Sequence, residues 1–160
     1  MNRLTRVVLE GDIPSSLPRS VEADRAQAVK DLIAVGNQFT PMAVKSASPA
    51  QGPFALHLSV QSGRLVFDVR SHRDAPVIII GLALGPFRRL VKDYQLLVDS
   101  HIKAVEEGRS DRIQAIDMGR KGLHDEGATL MRERLDGKIA IDFATARRLF
   151  TLVCTLSQRV

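Results

Sequence analysis

What the 160-residue sequence has little of sets the first limits on what it can be. It contains one cysteine, Cys154, so no internal disulfide can form, and the place of that residue in the apolar run LFTLVCTL reads as packing rather than a nucleophile. There is no tryptophan, one tyrosine and 4% aromatic residues in all, too few stacking platforms for a binder of single-stranded nucleic acid. No apolar run approaches the roughly 18 residues needed to span a bilayer, and the opening MNRLTRVVLEGD carries charges around a short apolar run, unlike a secretory signal. The expectation is a cytoplasmic protein with no membrane association. The phosphate-binding GxxxxGK followed by Ser or Thr, GxGxxG after a strand, the GxSxG elbow and the HExxH zinc helix are all missing. One cysteine and four scattered histidines do not make a structural zinc site, so neither a metal nor a cofactor is expected.

What is present is the composition of an ordinary folded protein, 44% hydrophobic and 26% charged. A chain of this length fits a single globular domain over residues 1–160 and can bury roughly 70% of the surface its unfolded form exposes. Lys and Arg number 23 against 18 Asp and Glu, a net charge of +5 that invites the thought of nucleic acid. The distribution weakens it, because acids and bases are interspersed. The largest local excess is near the C-terminus, where Arg147, Arg148 and Arg159 face Asp142.

Local pattern predicts an α+β fold: a small antiparallel β-meander packed against four to five helices, with a helical C-terminal half. Leu4 to Glu10 reads as a strand. A helix capped by Ser20 follows to about Val35, with Gly36 as its stop. Phe39 to Val44 reads as a short edge strand, because Pro41 lacks a ladder donor. Two loop-like stretches, GDIPSSLPRS and KSASPAQGP, flank this region.

The sharpest local signal is the hairpin in PFALHLSVQSGRLVFDVRS. A two-residue turn at Ser62 and Gly63 pairs Gln61 with Arg64 and sets Val60 opposite Leu65, Leu58 opposite Phe67 and Leu56 opposite Val69 on one face. The other face then carries His57 opposite Asp68 and Ala55 opposite Arg70, which reads as an exposed cross-strand pair before it reads as catalysis. The run VIIIGLAL continues the meander and is apolar enough to predict cover on both faces.

Gly85 and Pro86 open a long helix whose buried stripe includes Leu90, Tyr94, Val98 and, at its margin, His101. Arg88 and Arg89 lie near its start, where exposed backbone donors favour an anion. Ser110 begins the next helical segment and Gly137 ends it. Inside it, IDMGRKGLHDEG holds three glycines, each costing about 1 kcal/mol in a helix relative to alanine. That cost predicts a break after Lys121 at Gly122, with Asp125 capping a new turn; an unbroken helix would instead set Asp117, Arg120 or Lys121, and His124 on one face. The last segment predicts a short extended stretch, a cap at Asp142 and a helix apolar on most of its circumference, so either central to the core or part of a dimer interface. Arg147 and Arg148 interrupt it.

The order GPFRRLVKDY, IDMGRKGLHDEG and RLDGKIAIDFATARRLFTLVC resembles uncharacterised protein family 0262, a bacterial group of about this length. The resemblance spans most of the chain from the hairpin onward. It implies no catalytic residues and so brings no chemistry to transfer.

The candidate site is therefore composite: Arg88, Arg89, Arg120, Lys121, His124, Glu126, Arg147 and Arg148. Paired arginines without a matching nucleophile favour a noncatalytic binding or regulatory protein, a homodimer in one version, that recognises an acidic protein or an anionic small molecule. The alternative is an enzyme acting on an anionic substrate with His124 as acid or base, oriented by Asp117 or Glu126. A third reading is association with RNA or the ribosome, which requires a continuous positive face.

Overall fold

Ser62 and Gly63 both adopt positive φ, 51° and 74°, the backbone that a two-residue hairpin turn demands and that glycine supplies without steric cost. From this turn the strands β3 (Phe54–Gln61) and β4 (Arg64–Ser71) pair in the register the alternation predicts, Gln61 to Arg64 through Leu56 to Val69. A computed structural model describes residues 2–11, 16–34, 36–42 and 51–157 of the chain. In it, β5 (Pro76–Ala83) continues the meander beside β4, and β1 (Leu4–Leu9) adds to the other side of β3. The sheet order is β1-β3-β4-β5, and β1 runs parallel to β3, so the sheet is mixed rather than purely antiparallel. The parallel pairing follows from the crossover between them, which contains helix α1 (Arg19–Leu32) and returns the chain to the same end of the sheet.

Two short strands lie outside this sheet. Thr40 of β2 (Phe39–Pro41) pairs with Ala140 of β6 (Ile139–Ile141), an antiparallel contact between segments a hundred residues apart. The expected ends of the first helix at Val35, of the edge strand at Val44, part of both loop stretches, and Arg159 lie outside the described residues. The helix begins one residue before Ser20, after Pro18, and no side-chain cap closes it.

Three further helices complete an α+β architecture: α2 (Arg88–Glu106), reached through a single 3-10 turn at Gly85–Phe87, α3 (Ser110–Leu135) and α4 (Phe143–Leu156). The helices cover the sheet face that carries Leu56, Leu58, Leu65, Phe67 and Val69, all fully buried in one cluster with Leu90, Tyr94, Met131, Leu149 and Phe150. Helix α4 packs against α1, α2 and α3, and its residues 149–156 are all buried, so its apolar circumference is explained by a central position within the chain. Asp142 stands at its start as expected, where its carboxylate accepts from Thr145 Oγ1 and from the Gln38 backbone N–H at 2.9 Å. One carboxylate thus ties α4 to the β2 approach.

Two further expectations are overturned. β5 is an edge strand with one open face, and Ile79 is 68% exposed. Helix α3 runs unbroken for 26 residues through Gly119, Gly122 and Gly127. The reason lies in packing: a Cβ on Gly127 would overlap the Phe150 ring, so this glycine lets α3 and α4 approach closely, and their contact offsets the helix-propensity cost that predicted a break. Asp125 therefore lies inside the helix and caps nothing.

Candidate functional site

Because α3 is continuous, Asp117, Arg120, Lys121 and His124 do share one side of it, spaced at helical repeats. Across from them α4 presents Arg147 and Arg148, and α1 presents Asp24, Gln27 and Asp31. These side chains line two open clefts of ≈ 280 and ≈ 290 Å³ that share Arg120, His124 and Arg147.

Every arginine in the clefts is held by a carboxylate. Arg120 Nη2 donates to Asp24 Oδ1 and Oδ2 at 3.0 and 2.9 Å, and Tyr94 Oη donates to the same Oδ2 at 2.6 Å. Arg147 pairs with Asp125, and Arg148 Nε lies 3.3 Å from Asp31 Oδ2, which also accepts from Gln27 within α1 through its other oxygen at 2.8 Å. These pairs join α1 to α3, α4 to α3 and α4 to α1, while Tyr94 brings in α2. Burial and the bond to Asp24 push the Tyr94 phenol well above its ordinary range, so it remains a donor.

His124 sits between two rings, with centroids 5.5 Å from Phe150 and 6.2 Å from Tyr94 in edge-on geometry. Its Nδ1–H donates to the Arg120 carbonyl at 2.8 Å, so neither Asp117 nor Glu126 orients it. Burial lowers its pKa below the ordinary 6.5; the backbone bond opposes that, and the Arg147 and Arg120 charges reinforce it. The imidazole is therefore neutral at pH 7, with Nε2 as a lone-pair acceptor. Cys154 is buried in α4, and desolvation raises its thiol pKa, consistent with packing rather than reactivity.

The rest of the composite set is elsewhere. Arg89 pairs with Glu126, and its Nη1 lies 3.2 Å from Asp93 Oδ2; this places both Arg89 and Glu126 on the α2 side of α3. Arg88 lines a separate groove near the hairpin turn. On the sheet's outer face, His57 opposes Asp68 in register but is only 11% exposed, and its Nδ1 meets Glu10 while Nε2 lies 3.7 Å from Asp74 Oδ1. Asp68 is taken by Arg70 at 2.8 Å, so the expected exposed His57–Asp68 pair gives way to a mixed cluster in which His57 of β3 lies between Glu10, just after β1, and Asp74 of the β4–β5 turn. Among the described residues no group of three or more His, Cys, Asp or Glu side chains is arranged to hold a metal ion.

Sequence reasoning missed Asp24, Asp31 and Tyr94 as site residues. Asp24, Gln27 and Asp31 fall three and four apart along the margin of the Val21, Ala28 and Leu32 stripe, a signal for one polar helix edge but not for its partners.

Comparison with known proteins adds the lineage. The profile of the uncharacterised protein family UPF0262 matches residues 1–159. The chain belongs to this family. A UPF0262 protein of Granulibacter bethesdensis is 60% identical over 99% of the chain and 91% of its own length. Relatives from Acidiphilium cryptum and Maricaulis maris are 55% and 49% identical, over 98% and 99% of the chain and 93% and 95% of their own lengths. No solved structure matches the chain.

Proposed function

We propose that this UPF0262 member is a noncatalytic binding or regulatory protein that recognises a compact anionic ligand, or an acidic group of a partner, in the cleft between α1, α3 and α4. The observation that carries the reading is the convergence of Arg120, Arg147 and Arg148 from two helices on one recess. Each guanidinium has five N–H donors and spends only one or two on its aspartate, so the remaining donors are held in fixed orientations. Asp24, Asp31, Asp117 and Asp125 balance Arg120, Lys121, Arg147 and Arg148, so recognition rests on directed hydrogen bonds rather than on a positive field. That favours a small phosphate or carboxylate over RNA, whose binding would draw on many uncompensated cations.

A thermal-shift screen of nucleotides, phosphorylated metabolites and structured RNA tests the reading. Stabilisation by a small anion that Arg147→Gln abolishes supports it. Indifference to every compound, with no crosslinked partner, sinks it, and RNA binding that weakens steeply with salt replaces it with the ribosomal reading.

One observation favours the enzyme alternative. His124 spends Nδ1–H on the Arg120 carbonyl and stays neutral, which leaves Nε2 as a base beside arginines that could hold an anionic substrate. Turnover lost in His124→Gln with binding retained would establish it. A homodimer finds its best support at the open β5 edge, where Ile79 lies exposed on a strand without charges. Among the described residues no helix is long and apolar enough to cross a membrane. A cytoplasmic location belongs to the same proposal, and the single buried cysteine is compatible with a reducing compartment.

A further inference from the structure

Three chain turns meet beside the start of α2. The Ser62–Gly63 hairpin turn, the β5 to α2 connection at Leu84 and Gly85, and the end of α4 at Ser157 enclose a groove of ≈ 500 Å³. Leu84 N–H donates to the Gly63 carbonyl at 3.0 Å, which fixes two of these turns to each other. The groove has two kinds of wall. Val60, Leu84 and Val91 give it an apolar side, while Arg88 and Lys92, one turn apart on α2, give it two cations.

Unlike every arginine of the α1, α3 and α4 cleft, Arg88 and Lys92 have no ion-pair partner among the described residues. Like charges four residues apart on a helix repel, so the pair is held at a small cost to stability with no carboxylate to offset it. Ser157, which also lines the groove, has a hydroxyl oxygen that is buried without a hydrogen-bond partner among the described residues. The positive end of the α2 dipole lies at the same place. Two cations without an ion-pair partner among the described residues, beside an apolar wall, are complementary to a molecule with an anionic head and a short apolar body.

We infer that the groove between the β3–β4 turn, the start of α2 and the end of α4 binds a small amphipathic anion. The head lies against Arg88 and Lys92, and the body covers Val60, Leu84 and Val91. This site is separate from the cleft of the proposed function and stands or falls without it.

The test uses the full-length protein, titrated with octanoate and octyl phosphate by calorimetry and by amide NMR, with acetate and octylamine as controls. Both octyl anions are expected to bind and to shift the Gly63 and Gly85 amides, and acetate and octylamine are not. Arg88→Gln and Lys92→Gln are each expected to weaken octanoate about tenfold, the loss of one charge-assisted hydrogen bond. Both side chains are exposed, so neither change threatens folding. A preference for octyl phosphate over octanoate assigns the head as phosphate and supports the site. Failure of both octyl anions to bind overturns it, as does equal binding of octylamine or octanoate binding that neither substitution weakens. Sedimentation with anionic vesicles but no response to either octyl anion would assign the cations to a membrane surface and also overturn it.

Discussion

Arg147 and Arg88 both border an open recess, but their surroundings are opposite. Arg147 reaches a carboxylate on the neighbouring helix, and so do Arg120 and Arg148, so that four helices are joined through Asp24, Asp31 and Asp125. Arg88 and Lys92 reach nothing among the described residues. A cation paired within the fold is a structural part first and a ligand contact only through its spare donors; an exposed cation without a carboxylate partner keeps all its donors for water or a ligand. The cations of these two recesses therefore divide into a clamp and a groove.

The clamp depends on α3 and α4 lying close enough for Arg147 to meet Asp125, and Gly127 permits that approach. Gly127→Ala places a methyl group 2.3 Å from the Phe150 ring, and the helices must separate. A loss of about 3 kcal/mol is expected, at the upper end for an overpacked core. Urea denaturation measures it, and a stability near that of the native chain would show that the interface is looser than described.

Asp24 is next in expected effect. Asp24→Ala removes the acceptor of both Tyr94 and Arg120, leaving a phenol in the core and a half-buried guanidinium unpaired, for a loss of about 2 kcal/mol. If the double variant with Tyr94→Phe loses no more than Asp24→Ala alone, the two residues act as one unit.

His124 adds a pH signature to the clamp. Its folded pKa lies below the ordinary value, so as pH falls the unfolded chain takes up the proton first. Stability contributed by the neutral imidazole is present above pH 6.5 and is lost as pH falls through that value toward the lower folded pKa. Denaturation midpoints followed from pH 7.5 to 5 should fall less steeply in His124→Gln than in the native chain. Equal slopes would place His124 in water.

How much of this was legible beforehand depends on sequence distance. The hairpin register could be read residue by residue, because Ser62, Gly63 and the alternation around them lie within one short stretch. The start of α4 at Asp142 and the turn at Pro86 that leads into α2 were equally local. The continuity of α3 was not, because what rescues Gly127 is Phe150, a ring on another helix. Nor was the β2 to β6 pairing, or the choice of Asp24 by Arg120 across 96 residues. The apolar run of β5 suggested two covered faces, yet the hydrophobicity that makes a strand says nothing of whether a layer lies beyond it.

Gly122 provides a milder contrast within the same helix. A Cβ there meets nothing within 4 Å, so Gly122→Ala regains helix propensity without a clash and should stabilise the protein by about 0.5–1 kcal/mol. A loss instead would mean that α3 bends at Gly122, as its sequence alone suggested.

The smallest expected effect says most about the groove. If Arg88 and Lys92 served the fold as Arg120 does, replacing either with glutamine would cost stability. They have no ion-pair partner among the described residues and repel one another, so Arg88→Gln and Lys92→Gln should each leave stability within about 0.5 kcal/mol of native, and on the stabilising side. Thermal denaturation at low salt reads the difference best, because added salt screens the repulsion and should erase it. A gain at low salt that vanishes at high salt marks the two cations as residues kept against the interest of the fold, which is what a binding site requires and a clamp does not.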